Sequence, residues 1–113
     1  MRWFLRSKIH RATVTEANPD YTGSIAIDQS LVEKAGLLSG EKVLVVSLTS
    51  GARLETYIII GRKDSGEICM NGAAALLIKK GEKIIIMGFE LSADMVKSTN
   101  ILVDEQNKFV KFL

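Results

Sequence analysis

One cysteine, Cys69, and one histidine, His10, are all that this chain of 113 residues carries of either type. A lone cysteine excludes an internal disulfide and a cysteine-built metal site, and a lone histidine makes a zinc centre a poor expectation. Aromatic residues are only 6% of the chain and are not interleaved with the basic ones, which argues against a stacking platform for single-stranded nucleic acid. Long apolar runs are missing too. The longest, Gly72 to Ile78, is far below the ~20 residues that a membrane-spanning helix needs. The apolar stretch in Met1–Arg6 is too short for a signal peptide. No repeat or low-complexity tract occurs. The expectation is one soluble, unexported, cytoplasmic domain over residues 1–113, without metal.

What is present suits a packed core. Hydrophobic residues make up 47% of the chain, and the net charge is +2, so the whole molecule sets up no strong field. The positive charge is uneven, because Arg2, Arg6, Lys8 and Arg11 all precede the first acid, Glu16. That basic start fits a solvated strand, an anionic small molecule or nucleic acid.

Short strands dominate the pattern. Residues 3–15 read as a strand on which Lys8 and His10 share a face, a face that is either wet or lines a site. Residues 24–28 read as a strand leading into a short helix. Asp28 or Ser30 is its N-cap, Leu31, Val32 and Ala35 form its apolar stripe, and Gly36 is its stop. Val43–Leu48 and Arg53–Ile60 form a hairpin over Thr49–Ala52, and Glu67–Met70 is a further strand. Asn71 caps a short helix through Leu77, and Ile84–Phe89 is again extended. Ser92 caps a helical turn near Ala93–Lys97. Ile101–Val103 and Lys108–Phe112 close as a last hairpin. A small closed β-barrel hides so many edges in so short a chain.

The chemistry centres on Tyr21-Thr22-Gly23-Ser24, which contains the only Gly-Ser pair in the chain. A serine hydroxyl can attack the carbonyl before it, and a glycine there leaves that carbonyl open and permits strained backbone. An N-to-O acyl shift, elimination and hydrolysis would turn the serine into a pyruvoyl group. The same residues, following Asn18-Pro19-Asp20, also make an ordinary turn.

Three ordered blocks bear on that choice: Lys8-Ile9-His10-Arg11-Ala12-Thr13-Val14-Thr15 with Tyr21-Thr22-Gly23-Ser24 and Ala26-Ile27-Asp28, then Arg53 to Tyr57, then Asn71-Gly72-Ala73-Ala74-Ala75. Together they resemble the bacterial pyruvoyl-dependent aspartate decarboxylases over roughly residues 5–90. The resemblance implies a mainly β fold, a six- to seven-stranded double-psi β-barrel with short helices. It implies a homotetramer with sites between subunits, and self-cleavage between Gly23 and Ser24 into chains 1–23 and 24–113. It also implies decarboxylation of L-aspartate to β-alanine, a step toward pantothenate, through a Schiff base on a pyruvoyl group derived from Ser24. A maturation factor is a further partner where cleavage is not spontaneous. Neither nucleic acid nor membrane is expected as a partner.

The resemblance also implies residue roles. Ser24 and Tyr57 are catalytic, with Tyr57 donating a proton to the former α-carbon. Gly23, Ser24 and Thr56 serve cleavage, with Thr56 donating to the oxygen that develops charge on Gly23. Lys8, Arg53, Thr56, Gly72, Ala73 and Ala74 bind substrate, with Arg53 as a carboxylate fork. His10, Tyr21 and Asn71 support the site. Against these stand plain readings: a surface strand tyrosine, a solvent-facing arginine beside a turn, a short Ala-rich helix. Thr56 and Tyr57 also point to opposite faces of a regular strand, so both serve one site only between subunits or at a bulge. The rival function is a non-catalytic small barrel that binds nucleic acid in a salt-sensitive way.

Overall fold

Branched apolar residues at alternating positions make most of this chain strand. A computed structural model describes residues 1–113. In chain order the elements are β1 (Arg2–Thr13), β2 (Glu16–Asn18), β3 (Ile25–Asp28), α1 (Gln29–Ala35), β4 (Lys42–Ser47), β5 (Arg53–Gly61), β6 (Ile68–Asn71), α2 (Ala74–Leu77), β7 (Lys83–Ser92), β8 (Thr99–Val103) and β9 (Phe109–Phe112). The hairpin of β4 and β5 forms as expected, and so does the last hairpin of β8 and β9.

The strands form one sheet in the order β2-β6-β3-β5-β4-β7-β1-β8-β9. Three neighbouring pairs are parallel: β1 with β8, β2 with β6, and β3 with β5. Strand β2 is almost the direct continuation of β1, yet it lies at the opposite end of the sheet order. The sheet therefore curls until its ends approach, giving a barrel-like, mainly β fold. Asn107 pins this junction from inside. It is 1% exposed, its Oδ1 accepts from the Thr13 amide at 2.7 Å, and its Nδ2 donates to the carbonyls of Thr13 and Gly66, both at 2.8 Å. Twenty buried apolar residues fill the middle, among them Ile9, Ile27, Ile58, Met70, Ile84 and Ile101.

Helix α1 follows the expected logic, and of the two candidate caps Asp28 is the one used. Its Oδ1 accepts from the Ser30 amide at 2.9 Å. Gly36 ends the helix in the left-handed conformation, φ 72°, which glycine adopts without a Cβ penalty.

Three expectations need correction. Nine strands form, against the six to seven that the resemblance implies; the strand with no signal in the sequence is β2, three residues leading into the Asn18-Pro19-Asp20 turn. Asn71 does not cap α2. It ends β6, and the single helical turn starts at Ala74, with Ala73 at the N-cap position and no side-chain cap. Ser92 ends β7, and its hydroxyl accepts only the Asp94 amide at 3.1 Å. That is a local turn, with no helix after it.

Candidate active site

The Gly23–Ser24 junction places two successive residues at positive φ. Gly23 has φ 89° and Ser24 φ 93°. Glycine tolerates that value, but a residue with a Cβ held there costs on the order of 1–3 kcal/mol. A Cβ at Gly23 would meet nothing within 4 Å, so conformation and not crowding demands glycine there. The Gly23 amide donates to the Tyr21 carbonyl at 2.8 Å, which draws Thr22 into a tight three-residue turn. Ser24 is only 2% exposed.

Strand β6 grips this junction through its last residue. The Asn71 amide donates to the Ser24 carbonyl at 2.9 Å, extending the β3–β6 ladder by one rung. The Asn71 side chain donates from Nδ2 to Ser24 Oγ at 3.2 Å. Asn71 is itself buried, so its amide carbonyl also needs a partner, and the Cys69 thiol donates to Oδ1 at 3.2 Å. Gly72 then turns away with φ 66°; a Cβ on it would lie 2.7 Å from both Gly23 Cα and Gly23 N. Two glycines thus let two backbone segments touch. The Gly72 amide donates to the Asn18 carbonyl at 2.9 Å, tying the same turn down from its other end.

Strand β5 runs parallel to β3, with Ile58 opposite Ile25. The pairing ends there, and Tyr57 and Thr56 are the next residues of β5 on the side of Ser24 and Gly23. The strand is regular, so Thr56 and Tyr57 take opposite faces as its alternation requires. No bulge in β5 relieves this. The Tyr57 hydroxyl donates to the Thr22 carbonyl at 3.4 Å, one peptide upstream of Gly23. Tyr21 is exposed beside it. Arg53 shares the Tyr57 face but sits four residues away, about 13 Å along the strand. It lines a separate groove of about 900 Å³ with Trp3, Glu41, Lys42, Glu55 and Phe89.

Lys8 and His10 do lie side by side, between two bulges of β1. In the sheet order β1 is four strands from β3, and neither side chain hydrogen-bonds to the Gly23–Ser24 junction. Arg6, from the same basic run, forms an ion pair with Glu41. His10 Nδ1 is buried without a hydrogen-bond partner. Burial, then the charges of Lys8 and Arg11, hold its pKa below the usual histidine value. Ala73 is exposed and Ala74 packs partly on the core. Their backbone amides donate to no group in the chain and are free for a ligand.

One chain therefore assembles Gly23, Ser24, Asn71, Gly72 and Tyr57, and leaves Lys8, His10 and Arg53 elsewhere. The sequence marks Cys69 only as a lone cysteine, without a disulfide or metal partner. Burial, then the nearby Glu16 and Glu67, push its pKa up. Its place two residues from Asn71 on one strand was the available signal, because such residues share a face.

A profile of the aspartate decarboxylase family matches residues 1–110, and the chain belongs to that family. Its relatives are named aspartate 1-decarboxylase. One from Caldicellulosiruptor saccharolyticus is 53% identical, with 95% of this chain and 87% of that protein covered. One from Bacillus velezensis is 47% identical over 99% of this chain and 91% of that protein. A third, from Clostridium botulinum, is 53% identical over 93% and 76%. These matches do not favour the nucleic-acid-binding alternative.

Proposed function

We propose that this chain cleaves itself between Gly23 and Ser24 and then decarboxylates L-aspartate to β-alanine and CO2. The observation that carries the reading is the buried, positive-φ Ser24 behind a positive-φ glycine, in a member of the aspartate decarboxylase family. The same site fits a pyruvoyl group on residue 24, since the Asn71 amide holds the carbonyl of that residue, an atom the group would keep.

Cleavage would begin with Ser24 Oγ bonding to the Gly23 carbonyl carbon. The Gly23–Ser24 C–N bond breaks, and the hydroxyl proton passes to the nitrogen, giving an ester and a free amine. Loss of the Ser24 α-proton expels the Gly23 carboxylate and leaves a dehydroalanine. Water then displaces ammonia. Relief of the strain at Ser24 favours the first step. Thr56 would donate to the oxygen that gains charge, and because it and Tyr57 take opposite faces of β5, one of the two would come from a second copy; one such donor is worth roughly 3–4 kcal/mol in a preorganised site.

Bound at residue 24, the pyruvoyl group would supply a sink for the electron pair released as CO2 departs. The other tasks fall to side chains and amides of the protein. Tyr57 delivers a proton from its hydroxyl. The free amides of Ala73 and Ala74 hold a substrate oxygen, and Gly72 lets backbone approach closely. Arg53 and Lys8 supply cations for the two carboxylates, with His10 beside Lys8. Their distance from Ser24 within one chain supports a homotetramer in which a second copy completes the site.

The test is the denatured intact mass of wild type and Ser24→Ala, with CO2 release from L-aspartate. Fragments 1–23 and 24–113, the latter blocked at its start, are expected from wild type only. Ser24→Ala should remain one folded, inactive chain; full activity in it would remove the pyruvoyl mechanism. Tyr57→Phe should cleave normally and lose about 10²–10⁴-fold in kcat.

A further inference from the structure

The side chain of Asn71 faces two ways, and each way asks for a different end of its amide. Toward Ser24 it presents Nδ2, 3.2 Å from Oγ; toward Cys69 it presents Oδ1, 3.2 Å from Sγ. All three residues are buried. An amide can rotate by half a turn at little steric cost, so its neighbours decide which end faces where. If Oδ1 faced Ser24, it would bind the hydroxyl hydrogen and hold it away from the scissile nitrogen. With Nδ2 facing Ser24, Oγ accepts, and its own hydrogen stays free for the nitrogen that must receive it.

We propose that Cys69 is a positioning residue for self-cleavage: its thiol hydrogen, donated to Asn71 Oδ1, sets the amide so that Nδ2 faces Ser24 Oγ. The role rests on the cleavage reading given above. Strand geometry supports it. Cys69 and Asn71 project to one face of β6, and Cys69 pairs with Ala26 of β3, two residues along from Ser24. The raised thiol pKa keeps the donor protonated at neutral pH. No reaction at sulfur is involved.

The test is a cleavage time course followed by intact mass, in fresh lysate and after purification, for wild type, Cys69→Ser, Cys69→Ala and Cys69→Val. Serine and alanine have nearly the same volume, so that pair isolates the donor. The serine variant is expected within about twofold of wild type. The alanine variant is expected roughly three- to tenfold slower, the size of one neutral hydrogen bond. The valine variant fills the space without a donor and must also be slow. Alanine or valine cleaving as fast as wild type, or serine as slow as alanine, overturns the role of Cys69 alone. A wild-type chain that stays whole in both settings overturns the cleavage reading, and the role of Cys69 falls with it.

Discussion

At the scale of single residues, the side chains with a special environment are few, and each has a physical cause. Ser24 is held at a φ that its Cβ resists. His10 is a basic group without a partner at Nδ1, between two cations. Its folded-state pKa lies below its unfolded value of about 6.5. The unfolded chain thus binds more protons in the window just below that value. The stability tied to neutral His10 is fully present above about pH 6.5 and is lost as pH falls through the folded pKa. Melting temperature should fall between pH 7 and 5, and His10→Gln should flatten that slope. An unchanged slope in the variant would show that His10 is not the titrating group. Glu82 adds to the same trend at lower pH, because Ser47 and the Lys79 amide hydrogen-bond its carboxylate and lower its pKa.

At the scale of elements, the site is a contact between the end of β6 and the turn before β3. Gly72 sits where the two backbones meet, and its Cβ-free face is filled by Gly23. Gly72→Ala must therefore either displace the Gly23–Ser24 turn or unseat β6, and its positive φ adds strain. We expect the melting temperature to drop by about 5–15 °C, from the sensitivity of domains this size, and self-cleavage to slow. Calorimetry and intact mass check both. An unaltered protein would show that the turn is free of β6. How much of this was legible is uneven. The hairpin turn at Thr49–Ala52 and the stop at Gly36 followed from local chemistry. Strand β2 did not, because three residues after a β-branched run and before Asn18-Pro19-Asp20 carry no periodicity. They are extended because β6 pairs with them.

At the scale of the whole molecule, one copy leaves large apolar side chains in water: Trp3 is 69% exposed, Leu76 64%, Leu77 55% and Phe112 56%. Surfaces of this kind mark association sites, and the candidate cations Lys8 and Arg53 lie away from Ser24. The proposed homotetramer would account for both features. Light scattering should give about four times the chain mass of 12.4 kDa. Mixing an Arg53→Ala chain with a Ser24→Ala chain should then restore part of the activity if sites are shared between copies. A monomer of full activity would require all the site residues to converge within one chain.

The sequence by itself determined the family and the strand-rich class and singled out Gly23-Ser24 as the proposed cleavage pair, because ordered motifs and β-branched patterning are local or linear properties. It also named Arg53, Thr56, Tyr57 and Asn71. Only the tertiary structure decided what those residues touch. Asn71 reads as a helix cap in one dimension, since capping needs only the residues that follow it. In the folded chain, the parallel pairing of β3 with β5 and the antiparallel pairing of β3 with β6 bring residues 57 and 71 to the end of β3 where residue 24 lies. Asn71 is then claimed by a serine 47 positions earlier in the chain. Long-range strand pairing sets such contacts through register, and register depends on the partner strand as much as on the strand itself.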